Sequence, residues 1–554
     1  MYPADECDEQ RILTVRNSEG LGGIVATSYL DLKIDGESVT EVIPGNVSVT
    51  QELNRHWWCH IQCRHLEDQR AGSGQQSAMR AEQWLGKDLQ VVATESGLTI
   101  FDGFVFDVEL LYERSGAYTV MIQGVTNSYK MSVTERHAYY AETKLEDLAK
   151  QLAQNVDLQA TVDCSDRRPL NYVQWGESDF EFLRRVADDH GCWMRPSKDG
   201  IEIYDKFQTG TTLQWQNMQA ANHATSFSLK GTVSPPAFNG AHYHFHAMES
   251  KTYKDVKDDP KFYETAAHLV DAAKKGSQDT LPSAYLHSRN RVVNQADYET
   301  LLKKESVRSV GSRVTGTGES DNHNLLPGNE LKLDGTLDAN GSYGVTHVSH
   351  SWDPTGYSNN FTCTPWQNYT DPHPPQMKPW YGVVSARVFD NNDPQKMGRI
   401  KVQYYWQEDG NAYWARMVTP HAGADRGFMF MPEVGDEVVV AFEDGDPERP
   451  IVIGSLWNGV DLAPRQEFWG GELDNNDVKR IVTKSGNRLQ LVDKADKESI
   501  VMATPKELKI SLIEKTDETG RSMITLHSEN GDIMLSAPNG RIHVHGKFFS
   551  RDVG

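Results

Sequence analysis

Long apolar runs are missing from this 554-residue chain. No stretch of about 18 consecutive apolar residues occurs, which excludes a membrane-spanning helix. The opening residues, MYPADECDEQ, are acidic and carry no apolar centre, which excludes a cleavable secretory signal. Cysteine is scarce, with six in the whole chain. That is too few for a disulfide scaffold and fits synthesis in a reducing cytoplasm. Positive charge is in deficit: 56 Lys and Arg stand against 78 Asp and Glu, a formal charge of −22. Binding to nucleic acid relies on cations that displace phosphate counterions, so this balance argues against a nucleic-acid partner. Enzyme signatures are missing too, with no G-x-S-x-G, H-E-x-x-H or phosphate-binding loop. The many carboxylates leave one enzymatic reading open, a pair that cleaves glycan or peptidoglycan.

What is present is mostly strand. Between Ile24 and Ser132, Phe104, Phe106, Val108 and Leu110 alternate with Val105, Asp107 and Glu109, the period of a half-buried strand. Two helices follow, each with its own start signal. In TKLEDLAKQLA, Thr143 is the expected N-cap and Glu146 the partner of a capping box, with Leu145, Leu148, Ala149 and Leu152 on one face. In GESDFEFLRRVADDHG, Ser178 caps, Glu181 sits three residues on and Gly191 stops the helix. Residues 234–310 contain a mobile-looking charged stretch, SKTYKDVKDDPKFYE, and a helix around Asp297 to Ser309. Four prolines in NYTDPHPPQMKPW read as a stiff linker and a boundary near residue 372.

Residues 381–459 give about five short Val-, Ile- and aromatic-rich segments, punctuated by Pro394, Gly398, Gly410, Gly435, Gly445 and Pro447. Five strands in so short a span indicate a small barrel of the OB type. After it, about seven short strands place Ile481, Leu489, Leu491, Ile500, Met502, Leu508, Ile510, Leu512, Ile524, Leu526, Ile533, Leu535, Ile542 and Val544 on one face. A sheet with one apolar face and no cover cannot close a core alone. Three copies wound about a shared axis would bury every row, giving a shaft of roughly 30–35 Å.

Three clusters could carry chemistry. His242, His244 and His246 share a strand face and could bind metal, or could be a polar face with aromatic neighbours. HWWCHIQCRH has zinc-compatible Cys spacing, but Cys59, Ile61 and Cys63 share one strand face and no second Cys pair lies nearby, so core cysteines are expected. His543 and His545 would give six imidazoles in a trimer. Ile542 and Val544 take the inward positions, however, so the histidines are expected to point outward.

DP-x3-GRI-x-V (Asp393 to Val402), YWARM (Tyr413 to Met417), AG-x3-G and PEVGDEVVVAF-x-x-GDPERPIVIGSLWNG together resemble the barrel of the VgrG-type spike proteins of type VI secretion and related contractile injection systems. YVQWGESDFEFLRRVADDHG resembles the tail hub of that phage tail hub–spike family, and KSGNRLQLVDKADKES resembles the start of its needle. The resemblance implies a mainly β fold: tail-hub-like β-barrel domains with a few helices, an OB-fold barrel and a C-terminal intertwined trimeric β-helix needle. It divides the chain into a flexible N-terminus (1–22), hub (23–371), Pro-rich linker (372–380), OB domain (381–460), connector (461–477) and needle (478–554). It implies a homotrimeric, non-enzymatic spike without cofactor that joins inner tube and baseplate to a puncturing needle. The implied partners are an Hcp-like tube protein, a PAAR-type tip protein, baseplate proteins, separately encoded effectors and, transiently, the target membrane. Assembly would be cytoplasmic and delivery by sheath contraction. Some phage spikes hold iron near the apex through a His-x-His pair, which makes His543 and His545 a candidate axial pair. Val544, Phe548 and Phe549 are candidate contacts for the tip protein. About 20 residues separate barrel from needle, too few for the lysozyme domain of some phage spikes. The chain stops soon after its last strand, so any toxin would be a separate polypeptide. The alternative is a peptidoglycan- or glycan-cleaving tail enzyme.

Overall fold

The computed structural model describes residues 30–39, 42–65, 81–112, 118–166, 168–215, 222–244, 248–286, 295–353, 356–407, 412–463, 477–514 and 520–547. The chain divides into two units, residues 1–455 and 456–554. The expected flexible N-terminus, His246, most of the connector, and Phe548 and Phe549 lie outside the described residues.

In the first unit, one sheet runs in the order Asn329–Asp334, Gln208–Trp215, His223–Gly231, Val314–Ser320, Gly356–Thr364, Gly341–Asp353, Val42–Glu52, Trp58–His65, Tyr118–Val125, Thr99–Tyr112, Asp88–Ala93, Leu30–Ile34 and Glu37–Ser38. A further pairing of Asn329–Asp334 with Gly341–Asp353 closes six of these strands on themselves. Each half has its own core. Cys59, Ile61 and Cys63 lie in the first, with Leu89, Phe101 and Ile122. Leu331, Tyr343, Val348 and Phe361 fill the second.

The alternation along Thr99–Tyr112 is broken where periodicity alone cannot show it. A β-bulge between Val105 and Asp107 changes which residues face the core. Val105 is buried in the core ahead of the bulge and Val108 and Leu110 pack on it beyond the bulge. Phe106 is exposed and makes edge contacts with Trp58 and Tyr129 at ring distances of 5.5 and 5.3 Å.

The described helices number four: α1 (Leu145–Gln154), α2 (Asp179–Asp189), α3 (Ala267–Thr280) and α4 (Gln295–Gly311). In α1 the expected stripe is buried, but Thr143 is not its cap. Thr143 ends the Glu135–Thr143 strand, pairs with Leu170 and turns its hydroxyl to Ala141 O at 3.0 Å, so Lys144 takes the cap position without a side-chain bond. In α2, the Ser178 hydroxyl accepts from Glu181 N at 3.2 Å and Gly191 leaves the helix at φ +69°. The charged stretch after residue 248 is not loose. Residues Glu249–Val256 pair with Phe238–His244, because Tyr253 anchors the strand under Tyr298 and Leu302 of α4. Helix α3, Ala267–Thr280, adds to the helices expected from the sequence.

Residues 384–455 form a closed five-stranded barrel of Val384–Asp390, Ile400–Tyr404, Tyr413–Met417, Pro450–Ser455 and Glu437–Phe442. The second unit contains a five-stranded antiparallel meander, Val478–Val482, Arg488–Val492, Ser499–Ala503, Lys509–Ile513 and Met523–His527. Seven strands were expected here. The segments around Ile533 and Ile542 form no strand, since no ladder partner for them lies within the chain's described residues.

A buried histidine contributes to the acid sensitivity of the first unit. The Gln51 amide donates to Ile100 O at 2.8 Å, so its oxygen accepts from His350 Nε2 at 3.2 Å, leaving Nδ1 to accept from the Tyr357 hydroxyl at 2.8 Å. Burial, with His323 and His347 nearby, lowers His350 to about 3. Below pH 6.5 the unfolded chain therefore takes up a proton that the folded chain refuses. The stabilisation by His350 is full above pH 6.5 and lost as pH falls toward 3. Denaturant unfolding should show a loss of about 2 kcal/mol from this group between pH 7 and pH 5, and His350→Gln should flatten that slope.

Candidate functional site: the joint between hub and barrel

The barrel does not own its core. Val173 and Trp175, on the hub strand Leu170–Ser178, are buried among Val388, Ile400, Val402, Tyr404, Val438, Val440 and Phe442 of the barrel. Strand Leu170–Ser178 pairs with Glu135–Thr143, whose His137 and Tyr139 reach the same cluster. Trp175 makes edge-to-face contacts with Phe442 (5.0 Å), Trp406 (5.6 Å), Tyr404 (5.8 Å), Trp380 (6.1 Å) and His137 (4.8 Å). Tyr139 meets Tyr413 at 4.1 Å. Each aromatic pair of this geometry contributes about 0.5–1.5 kcal/mol beyond area burial.

Helix α2 holds the joint from behind. Arg184 Nε donates to Asp371 Oδ2 at 3.0 Å and Nη2 to His373 O at 3.0 Å, fastening the start of the proline-rich linker. Arg185 donates to Glu177 Oε1 and Oε2 at 2.9 and 2.8 Å and to Val173 O at 2.7 Å. Asp188 accepts from Arg308 Nη2 at 2.9 and 2.7 Å and from Lys304 at 2.9 Å, tying α2 to α4. At the barrel end Trp380 N donates to Gly445 O at 2.7 Å, so the linker is bound at both ends. Removing one member of a buried ion pair costs about 3–5 kcal/mol, because the other charge is left without compensation.

The barrel's sequence motifs are turn chemistry. Asp393 accepts from the backbone N–H groups of Gln395 (3.0 Å), Met397 (2.8 Å) and Arg399 (3.2 Å), and from Arg399 Nη2 at 2.8 Å. The Arg399 hydrogen bond, helped by those backbone donors, holds the Asp393 carboxyl well below the usual carboxylate range despite burial. Gly398 supplies φ +71° in the same loop. Arg416 and Arg449 each donate to Glu443 Oε2 at 2.8 Å, joining YWARM to GDPER.

In the second unit, the register explains the apolar rows. Ile481, Leu489, Met502, Ile510 and Leu526 stand opposite one another across successive strands. So do Leu491, Ile500, Leu512 and Ile524, with Lys479 at the outer end. Both rows lie on one face, and Ile500 is 43% and Met502 48% exposed. The opposite face buries Val501, Ala503 and Ser511. A contiguous apolar surface of this kind marks an interface.

The histidine clusters separate clearly. His242 stacks on Tyr298 at 5.4 Å, the aromatic-neighbour arrangement. Cys59 and Cys63 are core residues, and burial raises the Cys63 thiol to about 12. His543 and His545 stack at 6.0 Å in an exposed segment with Ile542 and Val544, outside any strand. Among the described residues no group of three His, Cys, Asp or Glu is arranged to hold a metal. Sequence reasoning missed Trp175, although Trp-Gly-Glu-Ser lay within a quoted motif. Nothing in the local pattern shows that a hub strand fills another domain's core.

Two outcomes test the joint. Trp175→Ala should cost about 3–5 kcal/mol and open residues 372–380 to limited proteolysis, while the barrel strands keep their amide protection. Asp393→Ala should remove hydrogen-exchange protection at Gln395, Met397 and Arg399. The wild-type loop should lose the same protection only as pH falls below the carboxylate range, since the depressed group stabilises above it.

Comparison with known proteins gives a concordant picture. The model of the phage tail baseplate hub (GPD) matches residues 54–355, more than half of the chain. The type VI secretion system/phage-baseplate injector OB domain matches residues 384–457. The Pseudomonas aeruginosa type VI secretion system spike protein VgrG1a is 26% identical over 357 residues, covering 57% of this chain and 53% of that protein. VgrG1b of the same organism is 23% identical, covering 69% and 55%. The Vibrio cholerae actin cross-linking toxin VgrG1 is 28% identical, covering 60% and 32%. The chain thus spans between a third and about half the length of these relatives. Among solved structures, the fold resembles an Escherichia coli type VI secretion component described as similar to T4 tail proteins (TM-score 0.51, 16% identity, 77% of this chain and 99% of that one). It also resembles a Francisella VgrG solved with PdpA (TM-score 0.57, 10% identity, 90% and 88%). The match of the hub model to more than half of the chain places it in the phage tail baseplate hub family, and VgrG-type spike proteins are among its relatives.

Proposed function

We propose that this chain is a homotrimeric, non-enzymatic spike at the tip of a contractile injection apparatus. The observation that carries the reading is the sheet at Val478–His527, whose two full rows of aliphatic side chains lie uncovered on one face. Three such faces turned inward bury one another, and the antiparallel ladders then have no free apolar surface. Residues 23–371 act as the hub, where an Hcp-like tube protein and baseplate proteins bind. The linker at 372–380 and the barrel at 381–460 transmit load, and 461–477 leads to the needle at 478–554. A PAAR-type protein caps the end near Val544, Phe548 and Phe549, and separately encoded effectors ride with it. Assembly takes place in the cytoplasm. Sheath contraction drives the spike out of the cell, through a transient contact with the target membrane, without any nucleic-acid partner. Among the described residues no helix is long and apolar enough to cross a membrane.

The mechanism asks for stiffness rather than catalysis. Axial force on the needle reaches the hub through the barrel. The aromatic pin at Trp175 resists shear there because it is buried among rings, and the ion pairs at Arg184 and Asp188 because they are buried and hydrogen-bonded.

Sedimentation should give a trimer for the full chain. Ile500→Lys with Met502→Lys places two ammonium groups per chain in the apolar rows and should shift the protein to monomer, with barrel protection unchanged. Deleting residues 478–554 should likewise weaken trimerisation without unfolding the barrel. A stable wild-type monomer, or muralytic activity of the purified chain, would overturn the reading.

A further inference from the structure

Of the described cysteines, Cys59, Cys63 and Cys363 are buried and free, whereas Cys164 and Cys192 are joined. Six cysteines gave no hint of this pairing, which only the fold creates. Cys164 follows the strand Gln159–Asp163, and Cys192 follows the turn at Gly191 that ends α2. Their Cα atoms lie 6.6 Å apart, within the range a disulfide spans. The two segments are already tied by polar bonds. His190 Nδ1 lies 3.2 Å from Asp166 Oδ2, and His190 Nε2 lies 2.5 Å from the Tyr172 hydroxyl. A cavity of about 570 Å³ opens beside this junction, bounded by Asp163, Cys164, Ser165, Asp205, Lys206 and Thr209. Cys164 is among its lining residues and Cys192 is not, and the two are 4% and 1% exposed.

We propose that Cys164–Cys192 is a reversible thiol–disulfide site, with the cavity admitting a small-molecule thiol or disulfide to the Cys164 sulfur. In the reducing direction an incoming thiolate forms a bond to Cys164 Sγ. The Cys164–Cys192 bond breaks, its electron pair leaves on Cys192 Sγ, and that sulfur takes a proton. A second thiolate then attacks the incoming group's sulfur, releasing the Cys164 thiolate and one molecule of small-molecule disulfide. Two electrons pass from two small thiols to the protein, and oxidation by the small disulfide reverses each step. The consequence reaches the joint: the closed bond clamps the C-terminal end of α2, the helix whose Arg184 holds Asp371. Resting on the function proposed above, a spike assembled in a reducing compartment and driven into an oxidising one would stiffen there after delivery.

The test uses the full chain with Cys7→Ser as background, equilibrated with reduced and oxidised glutathione in varied ratio. The reaction is quenched in acid, and the chain is unfolded, alkylated and mapped by mass spectrometry. Cys164 and Cys192 should pass together and reversibly from alkylated to protected, with a loss of about 2 Da per chain. Cys59, Cys63 and Cys363 should be alkylated throughout. Oxidation should raise the first unit's melting temperature by roughly 3–4 °C. In native protein, Cys192→Ser should acquire glutathione at Cys164, whereas Cys164→Ser should acquire at least tenfold less at Cys192. The proposal fails if both cysteines remain alkylated at every ratio, if exchange occurs only in unfolded chain, or if the two single variants are modified equally.

Discussion

The structure depends on two borrowed side chains. A small barrel needs a filled interior, and here the hub supplies part of the filling through Val173 and Trp175. The barrel therefore cannot swing freely on its linker, because moving it would expose Trp175 and the ring faces of Tyr404, Trp406 and Phe442. Everything around that contact serves to keep the donor strand in place. Arg185 grips its backbone at Val173 and its carboxylate at Glu177, while Arg184 and Asp188 fix the helix beneath it to the linker and to α4. A joint made of ring contacts and desolvated ion pairs is stiff because each of its parts is costly to expose singly.

The same logic recasts the motifs. Asp393, Arg399, Glu443, Arg416 and Arg449 look like chemistry-bearing residues when read in line. Their partners are backbone amides and one another, and they organise the turns at the barrel's rim. A carboxylate surrounded by three N–H groups and a guanidinium has no spare lone pair to act as a base. In this chain these barrel motif residues maintain the turns that carry them.

Much of the architecture was legible because it rests on local periodicity. The α2 cap at Ser178, the barrel strands and the apolar rows of the C-terminal sheet follow from residue spacing, and the register of the five strands aligns those rows. Reading failed where a contact from far away decides the outcome. Thr143 has the chemistry of a cap, yet its place in a strand gives its hydroxyl a nearer carbonyl. Phe106 has the right phase for burial, yet a bulge turns it outward. Glu249–Val256 is charged enough to seem loose, yet one tyrosine under α4 makes it a strand.

By itself the sequence determined the β-rich class, the position of the OB barrel and the single apolar face after it. Each of these follows from patterns within a few turns or strands. Only the tertiary structure decided that Trp175 of the hub completes the barrel core, that α2 is fixed to His373 by a bond spanning 189 residues, and that Cys164 meets Cys192. These contacts join segments far apart in the chain. No local propensity encodes such proximity, which arises only when the sheets close and the helices pack on them.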